Sequence, residues 1–336
     1  MGRKNDAVLS YLEDNERFAE LFNCFYFGGR EAVRAEDISE ASEVYVPDNG
    51  KKGGQRIRDI KRYLESGACL KILAIEAQND ISYLMPWRIM EYDCLEYQKQ
   101  IRKVQRANDR KEERGEKRVY QNAGERLGRF CKQDKIAPVY TICLYHGQEE
   151  WDGPRCLKDM MDFGPEHAEE WKENFADYPM RLVSVNDFAN GSGFKTSLRE
   201  VFALLPYRED REGLLKMLEE NPEYQRMDEE TAHTISVLLD VKFMDRKEKY
   251  REEEGYNMCQ AIQEMVEEGR KEGRLEGRKE GRLEGRREEQ AEGIRILIEM
   301  SRDDGVEENE IMCKLKKYYL LSEEDAKEVL GRKQRQ

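Results

Sequence analysis

The chain has 336 residues, of which 38% are charged, and its formal net charge at pH 7 is −13. A chain of this length can bury one large core or two ordinary ones without disulfide support. The negative charge excludes general attraction of the whole molecule to nucleic acid, but it leaves room for a local basic patch.

The cysteines and the N-terminal sequence indicate the compartment. None of the eight cysteines forms a C-x-x-C pair, and Cys69 and Cys143 lie within apolar runs, which is typical of reduced thiols packed as small hydrophobic side chains. The N-terminus lacks the apolar stretch of a secretory signal, and no apolar run approaches membrane-spanning length. We therefore expect a soluble cytoplasmic protein without a membrane partner.

The first half of the chain predicts an α/β fold. Apolar residues recur at helical spacing over residues 6–27, with a break near residue 15. Two strands are predicted over residues 41–50 and 56–64, and the first runs into a Pro-Asp-Asn-Gly turn typical of hairpins. The apolar run CLKILAIEAQND, residues 69–80, then has the length and composition of a buried strand.

A helix and further strands complete the predicted sheet. Residues 85–106 change to helical period, with Pro86 acceptable in the first turn. Residues 137–147 return to a buried strand, so the helix is a βαβ crossover and the sheet is mixed, with its last strands parallel. Residues 180–188 are predicted as an edge strand. The predicted domains are an α/β domain over 1–190, a helical region over 195–262, a Gly-Arg-Glu repeat helix or linker over 263–292, and a short helical cap over 293–336.

Residues 267–287 form a repeat, EEGRKEGRLEGRKEGRLEGRR, in which glycine recurs every fourth residue. This period excludes collagen, which needs glycine every third residue. On a helix the arginines form one stripe and the glutamates another, and like charges four residues apart disfavour an isolated helix, as do the glycines. Pairing of the Glu stripe of one copy with the Arg stripe of another would offset this cost, with right-handed winding. The repeat therefore predicts a homo-oligomer, and a flexible charged spacer is the alternative.

Polar residues interrupt two of the predicted strands. Asp59 lies in the second strand, and Glu76 and Gln78 end the third. Their separation suits hairpin-paired strands, and side-chain alternation places Gln78 on the face of Glu76. Two carboxylates at a strand end suit Mg²⁺ or Mn²⁺, which can activate water and stabilise charge on a phosphoryl oxygen. On spacing alone, the alternative is that Glu76 begins a solvated loop while Asp59 pairs with a neighbouring basic residue.

Two basic segments are expected to flank these carboxylates. Residues 99–118 contain nine basic and four acidic side chains, and residues 51–62 are also basic. A charge run is usually a solvated face, but basic side chains beside a metal site can also neutralise the phosphates of a nucleic acid. Neither segment interleaves aromatic residues, so little sequence specificity is expected. The side chains expected to contact nucleic acid are Arg56, Arg58, Arg88, Lys99, Arg102, Lys103 and Arg106.

The order of these motifs, over most of residues 5–165, resembles a known family. An Asp is followed by an apolar-Glu-x-Gln strand, by a Met-x-x-Arg…Tyr helix, and by an apolar strand that ends in Tyr-x-Gly. The positions are Asp59, Glu76, Gln78, Met85, Arg88, Tyr92, Tyr145 and Gly147. In this set the chain resembles the recombination-promoting nuclease (Rpn) family, also described as PD-(D/E)XK nuclease-family transposases.

The resemblance implies a restriction-endonuclease-like αβββαβ core and metal-dependent cleavage of DNA. It implies that Asp59 and Glu76 are metal ligands and that Gln78 stands where the wider superfamily has a catalytic lysine. It also implies that an acid of the first helix can complete the site, for which Glu20 is the candidate and Asp6 the alternative. A neutral amide cannot stabilise a transition state as a cation does, so metal and nearby arginine must supply more of that charge.

Two functions remain open at this point. The first is a Mg²⁺-dependent endonuclease with low sequence specificity, which the family name connects with recombination and mobile elements. The second is a catalytically decayed nuclease fold that binds nucleic acid or a partner and self-assembles through its repeat. Arg88 either supports the site or forms an ion pair on a packed helix face, and Tyr92 either braces Gln78 or packs. We expect His146 to be hydrogen-bonded at the sheet edge rather than catalytic.

Overall fold

The computed structural model describes residues 2–41, 44–45, 56–66, 69–115, 119–187 and 193–332. The chain divides into two compact units, Met1–Gln263 and Glu264–Gln336. The first unit contains a five-stranded mixed sheet and a set of helices that follow it, and the second unit is helical. The protein is therefore of the α/β class with a helical C-terminal region.

The elements alternate in the first half of the chain and are mainly helical in the second. The helices are α1 (Arg3–Tyr11), α2 (Asn15–Phe27), α3 (Met85–Glu113), α4 (Ala123–Gly128), α5 (Ala168–Asn174), α6 (Leu198–Leu204), α7 (Arg211–Glu220), α8 (Glu229–Leu238), α9 (Met258–Asp303), α10 (Glu308–Tyr319) and α11 (Glu323–Arg332). The strands are β1 (Ile38–Glu40), β2 (Val44–Tyr45), β3 (Arg56–Ile57), β4 (Ile60–Ser66), β5 (Cys69–Gln78), β6 (Val139–Tyr145), β7 (Arg181–Ser184), β8 (Arg251–Glu252) and β9 (Gly255–Tyr256).

The main sheet has the strand order β1-β4-β5-β6-β7. The pairs β1–β4 and β4–β5 are antiparallel, whereas β5–β6 and β6–β7 are parallel. Helix α3 lies between β5 and β6 in the sequence, so the expectation of a mixed sheet with parallel last strands is confirmed. The predicted edge strand is confirmed as β7. Strands β5 and β6 are buried along most of their length, as central strands with both faces covered should be.

The first part of the sheet differs from the prediction. The first strand of the main sheet is β1, which precedes the predicted strand over residues 41–50 and exposes two of its three residues. This segment is too short to show a period of two. Strands β2 and β3 pair with each other in a separate two-stranded sheet, and the predicted turn over residues 47–50 lies outside the described residues.

Local signals set the helix boundaries. The break between α1 and α2 falls at Asp14, whose carboxylate accepts hydrogen bonds from the backbone N–H groups of Glu16 and Arg17. Gly28 ends α2 in the left-handed conformation, with φ of 60°. Helix α3 runs seven residues beyond its predicted end at residue 106, because the charged segment that follows continues the helix as a solvated face.

The second unit is a small helical cluster. The end of α9 packs with α10 and α11 around a core made of Ile294, Ile298, Ile311, Leu315, Ala326 and Leu330. The Gly-Arg-Glu repeat lies inside the continuous helix α9. All eight cysteines are free thiols. Within the described ranges, none of the helices has both the length and the apolar character needed to cross a membrane.

Candidate functional site

The register of β4 and β5 places Asp59 opposite Glu76. Ile60 pairs with Ile75 in this antiparallel ladder, and the next step of the register brings Asp59 to Glu76. The Asp59 carboxylate accepts a hydrogen bond from the backbone N–H of Ala77 at 2.9 Å. The structure thus brings together the two carboxylates of the sequence hypothesis, just before Gln78 at the end of β5.

Two arginines contact the Glu76 carboxylate from different sides. Oε1 of this fully buried side chain lies 3.4 Å from Nε of Arg58, and Oε2 lies 3.2 Å from Nη2 of Arg88. The Arg88 guanidinium also lies 4.0 Å from Oδ1 of Asp59, and a third of its side chain is exposed. Arg58 is fully buried and forms a second ion pair, with Asp93, at 2.5 Å. Arg88 is therefore the cation at the solvent side of the carboxylate pair, and Arg58 is the cation behind it.

Burial disfavours the ionised form of both carboxyl groups. Burial raises the pKa of Glu76 to about 8, the Asp59 charge adds to this, and Arg58 and Arg88 oppose it. Burial also raises the pKa of Asp59, against the lowering effect of the Ala77 N–H group and of Arg88. Glu76 therefore keeps its proton in most molecules at neutral pH, and a divalent cation bound there would displace it.

Gln78 and Tyr92 support this arrangement through different groups. The Gln78 amide donates to the backbone carbonyl of Ala77 at 2.8 Å. The Tyr92 ring centre lies 5.4 Å from the guanidinium carbon of Arg58 and 5.8 Å from that of Arg88. At these distances the ring face attracts both cations, and Tyr92 also hydrogen-bonds Arg88. Tyr92 thus braces the two arginines, and a bond from Tyr92 to Gln78 stays a prediction.

The two candidate acids of the first helices lie in different surroundings. The Glu20 carboxylate accepts hydrogen bonds from the Lys195 N–H, and from the Thr196 N–H and hydroxyl at 3.0 and 2.5 Å. It therefore secures the segment that leads into α6, and this corrects its assignment to the carboxylate site. Asp6 in α1, the alternative, is close enough to Asp59 for its charge to raise the pKa of Asp59. Of the two candidate acids, Asp6 is thus the one whose charge acts on Asp59.

The basic residues do not surround the carboxylates as predicted. The expectation that Arg58 contacts DNA is wrong, because the side chain is fully buried in two ion pairs. Lys61 is also buried, with its ammonium 2.9 Å from Glu96. The Arg56 side chain lies outside the described part of the chain.

The basic side chains of α3 are exposed but lie away from the site. Lys99, Arg102, Lys103 and Arg106 all reach solvent in the second half of this helix. They follow Arg88 by 11–18 residues, which corresponds to about 16–27 Å along the helix axis at 1.5 Å per residue. The prediction that these basic residues flank the carboxylates is therefore wrong. They form a basic patch farther along α3.

Two acids of α3 were missed by the sequence prediction. Asp93 accepts hydrogen bonds from Arg58, from the Thr141 hydroxyl at 2.9 Å and from the Tyr178 hydroxyl at 2.6 Å. Glu96 receives the buried ammonium of Lys61. The sequence contained a signal for both acids. Asp93 and Glu96 follow Ile89 by four and seven residues, so on a helix they share the face of this buried residue.

The residues after β6 have structural roles. His146 is fully buried, and its Nε2 lies 2.7 Å from Oδ1 of Asn5. Burial and then the charge of Arg208 lower the pKa of His146 to about 4, so the ring is neutral at physiological pH. This agrees with the expected hydrogen-bonded role. A Cβ at Gly147 would lie 2.3 Å from the Asn79 backbone oxygen and from the Tyr145 hydroxyl, so only glycine fits there.

The carboxylate pair is compatible with a hard divalent cation. Among the residues that the structure describes, no cluster of three or more His, Cys, Asp or Glu side chains is arranged as a metal site. Mg²⁺, however, is usually bound by one or two carboxylates together with waters and substrate phosphate. Oδ1 of Asp59 and Oε1 of Glu76 are buried and accept no hydrogen bond from the described residues. Asp59 therefore keeps an oxygen lone pair that a cation can use. Oε1 of Glu76 faces Arg58 at 3.4 Å, so a cation would reach Glu76 through Oε2, in the place of Arg88.

No family model matches the chain, and no curated protein or solved structure matches it significantly. Function is therefore inferred from the geometry and chemistry of the site.

Proposed function

We propose that the protein is a metal-dependent endonuclease that hydrolyses DNA phosphodiester bonds with low sequence specificity. The observation that carries the proposal is the meeting of Asp59 and Glu76 where β4 begins and β5 ends, with the partly exposed Arg88 beside both. The element order α2, β1, β4, β5, α3, β6 is compatible with the nuclease core that the resemblance implies. The proposed link to recombination rests on the family name.

Asp59 and Glu76 would hold the Mg²⁺ or Mn²⁺ ion, which when bound activates a water and stabilises charge on the phosphoryl oxygen. Because its pKa of about 8 lies above neutrality, Glu76 would have to release a proton in order to hold the cation. Arg58, held by Asp93, fixes the rear oxygen of Glu76 and keeps the carboxylate pointing toward Asp59. Asp6 adds negative charge from α1 and so strengthens attraction for a cation.

Arg88 compensates for the missing lysine at the position of Gln78. Its guanidinium lies 3.2 Å from Oε2 of Glu76 and is partly exposed. With a cation held by the two carboxylates, the Arg88 guanidinium would be able to donate two hydrogen bonds to a phosphate. A planar, permanently charged donor there can stabilise the transition-state charge that a neutral amide cannot.

The exposed basic side chains of α3 provide the proposed contact to DNA outside the cleavage site. At about 3.4 Å per base pair, their displacement of about 16–27 Å from Arg88 corresponds to roughly five to eight base pairs. Phosphate contacts at this distance position a duplex but read no bases. Low sequence specificity follows from this arrangement.

A second candidate function is binding without catalysis. Two arginines already lie within 3.4 Å of the Glu76 carboxyl group, and Gln78 supplies no positive charge. Such a site is stable without a metal. This is expected of a protein that keeps the fold and the basic patch but has lost catalysis. Cleavage and binding must therefore be measured on the same samples.

The test is nicking of supercoiled plasmid in Mg²⁺ by wild type, Asp59→Asn, and Glu65→Gln, which removes an exposed carboxylate at the other end of β4. We expect wild type and Glu65→Gln to cleave equally and Asp59→Asn to lose about 100-fold or more, the scale of losing one group that stabilises transition-state charge. Equal cleavage by wild type and Asp59→Asn would reject the site. Absence of cleavage by wild type, with DNA retained in a gel shift, would establish the binding alternative.

A further inference from the structure

The repeat segment lies on a long solvated helix. Residues 270–284 are exposed and belong to α9. In the alternating pattern, each glycine is preceded by a glutamate and followed by an arginine. The glycines concerned are Gly273, Gly277, Gly281 and Gly285.

Among the residues that the structure describes, no contact requires these glycines. A Cβ added at any of the four would meet no atom within 4 Å, whereas one at Gly293, also in α9, would lie 2.5 Å from the Tyr319 hydroxyl. An exposed glycine inside a helix destabilises that helix relative to alanine. The four glycines therefore weaken the helix without serving its own packing, and this indicates a requirement set by something that packs against it.

The charges beside the glycines define two edges of one face. Successive residues of an α-helix are rotated by about 100°. The arginine after each glycine therefore lies on one side of the glycine stripe, and the glutamate before it lies on the other. The fourth position of the repeat, occupied by Lys271, Leu275, Lys279 and Leu283, lies on the opposite face of the helix.

These edges are self-complementary in one orientation only. In a parallel pair the twofold axis runs along the helices, so the Arg edge of each helix meets the Glu edge of the other on both sides of the seam. In an antiparallel pair the axis is perpendicular to the helices, so Arg meets Arg on one side and Glu meets Glu on the other. Opposite charges across a helix pair stabilise it and like charges destabilise it, which selects the parallel pair.

We infer that residues 268–287 pair with the same segment of a second copy of this chain, parallel and in register, through their glycine faces. The absence of side chains along the glycine stripe lets the two backbones approach closely, and the charged edges fix orientation and register. Pairing through the opposite face is excluded because it would bring Lys271 and Lys279 of both copies into the centre of the seam. The four-residue period exceeds 3.6, so the pair winds with a right hand.

The charge pattern is tested in the full-length chain by sedimentation velocity. We expect wild type to be a dimer that dissociates as salt is raised, since exposed charges are screened. An acidic variant, Arg274→Glu with Arg278→Glu, and a basic variant, Glu272→Arg with Glu276→Arg, should each be at least tenfold weaker dimers. An equimolar mixture of the two should regain the dimer, because opposite charges then meet on both edges.

The matched control is Lys271→Glu with Lys279→Glu, which makes the same change in net charge as the acidic variant on the face away from the seam. It should dimerise as wild type does, and circular dichroism of each variant reports whether α9 remains helical. A monomeric wild type, or equal loss of dimer in the control and the acidic variant, would overturn the inference. So would failure of the mixture to recover.

Orientation is tested by disulfide formation in a background with the exposed Cys69, Cys94 and Cys313 replaced by serine. In a parallel pair, Gly269→Cys and Gly285→Cys should each cross-link to an identical copy. In an antiparallel pair neither variant would do so alone, and only their mixture would cross-link, which contradicts the inference.

Discussion

Glu76 combines complete burial with a carboxyl group that two arginines approach. Its pKa of about 8 shows that burial and the nearby Asp59 outweigh the arginines at neutral pH. The folded protein therefore holds a proton on Glu76 over a pH range in which the unfolded chain has released it. This difference ties the stability of the fold to the ionisation of the proposed metal ligand.

We predict that Glu76→Gln becomes more stable relative to wild type as the pH rises from about 5 to about 8. In this range folded wild type binds more protons than unfolded wild type, so its stability falls as pH increases, on the order of a few kcal/mol in total. The glutamine variant lacks this dependence, so the gap in melting temperature widens and levels off above about pH 8. Melting curves at several pH values without divalent cations measure it. A gap that stays constant with pH, as expected for the exposed Glu65→Gln control, would refute the raised pKa.

At the scale of single residues, the nearness of two side chains was predictable where their separation along the sequence determined it. Asp59 and Glu76 were paired from their separation along a hairpin, and the register places them opposite each other. Glu20 and Arg58 were misassigned because charge type alone cannot distinguish a buried or capping side chain from an exposed one. Asp93, which accepts three hydrogen bonds from distant parts of the chain, becomes meaningful only after the sheet and α3 are packed together.

At the scale of elements, the site depends on how the segments after β5 and β6 pass each other. Gly147 follows β6 and lies against the backbone of Asn79, which follows β5. Its carbonyl accepts hydrogen bonds from Asn186 at 2.8 Å and from Arg208 at 3.3 Å. This close approach holds the end of β5, and with it Gln78, in place beside the neighbouring strand.

We predict that Gly147→Ala lowers the free energy of unfolding by about 1–3 kcal/mol, the usual range for overpacking a filled site. The added Cβ would lie 2.3 Å from two oxygen atoms, and one of them belongs to the backbone, so one segment must shift. Gly128→Ala at the end of α4 is the control, because a Cβ there meets no atom within 4 Å. Urea denaturation should separate the two variants, and equal stability would contradict the packing argument.

Long periodic elements were predictable from sequence, and short ones were not. Helix α3 and strands β5 and β6 have enough apolar residues to reveal their period and their order in the sheet. Strand β1 has three residues and the β8–β9 pair has two on each side, so their existence depends on the partners to which they hydrogen-bond. The seven-residue extension of α3 was missed because a charged helical face resembles a loop in composition.

At the scale of the whole molecule, the net charge of −13 opposes the proposed approach to DNA. A local patch must therefore supply the attraction, and the exposed second half of α3 is the segment that the proposal uses. The two compact units divide the proposed tasks, because the carboxylate pair lies in the first and the repeat in the second.

We predict that Lys99→Glu with Lys103→Glu weakens DNA binding uniformly across sequences. Each lost lysine–phosphate ion pair should reduce the slope of log affinity against log salt by about 0.9, so the double variant should reduce it by about 1.8. A matched pair, Lys216→Glu with Lys242→Glu, changes two exposed lysines of the helical region and should leave the slope unchanged. Fluorescence anisotropy over a salt series measures the slope for each double variant. Equal slopes for the two double variants would contradict a specific role of α3 in DNA binding.

The central claim is that Asp59 and Glu76 together hold a divalent cation, and anomalous diffraction from crystals soaked in Mn²⁺ tests it most directly. We predict one anomalous peak at about 2.1 Å from an oxygen of Asp59 and from an oxygen of Glu76, the range for a hard cation on carboxylates. We also predict that Arg88 moves away from Glu76 Oε2 and that the peak is absent in Asp59→Asn. A saturating soak that leaves the Arg88–Glu76 pair intact and shows no peak between the carboxylates would contradict the claim.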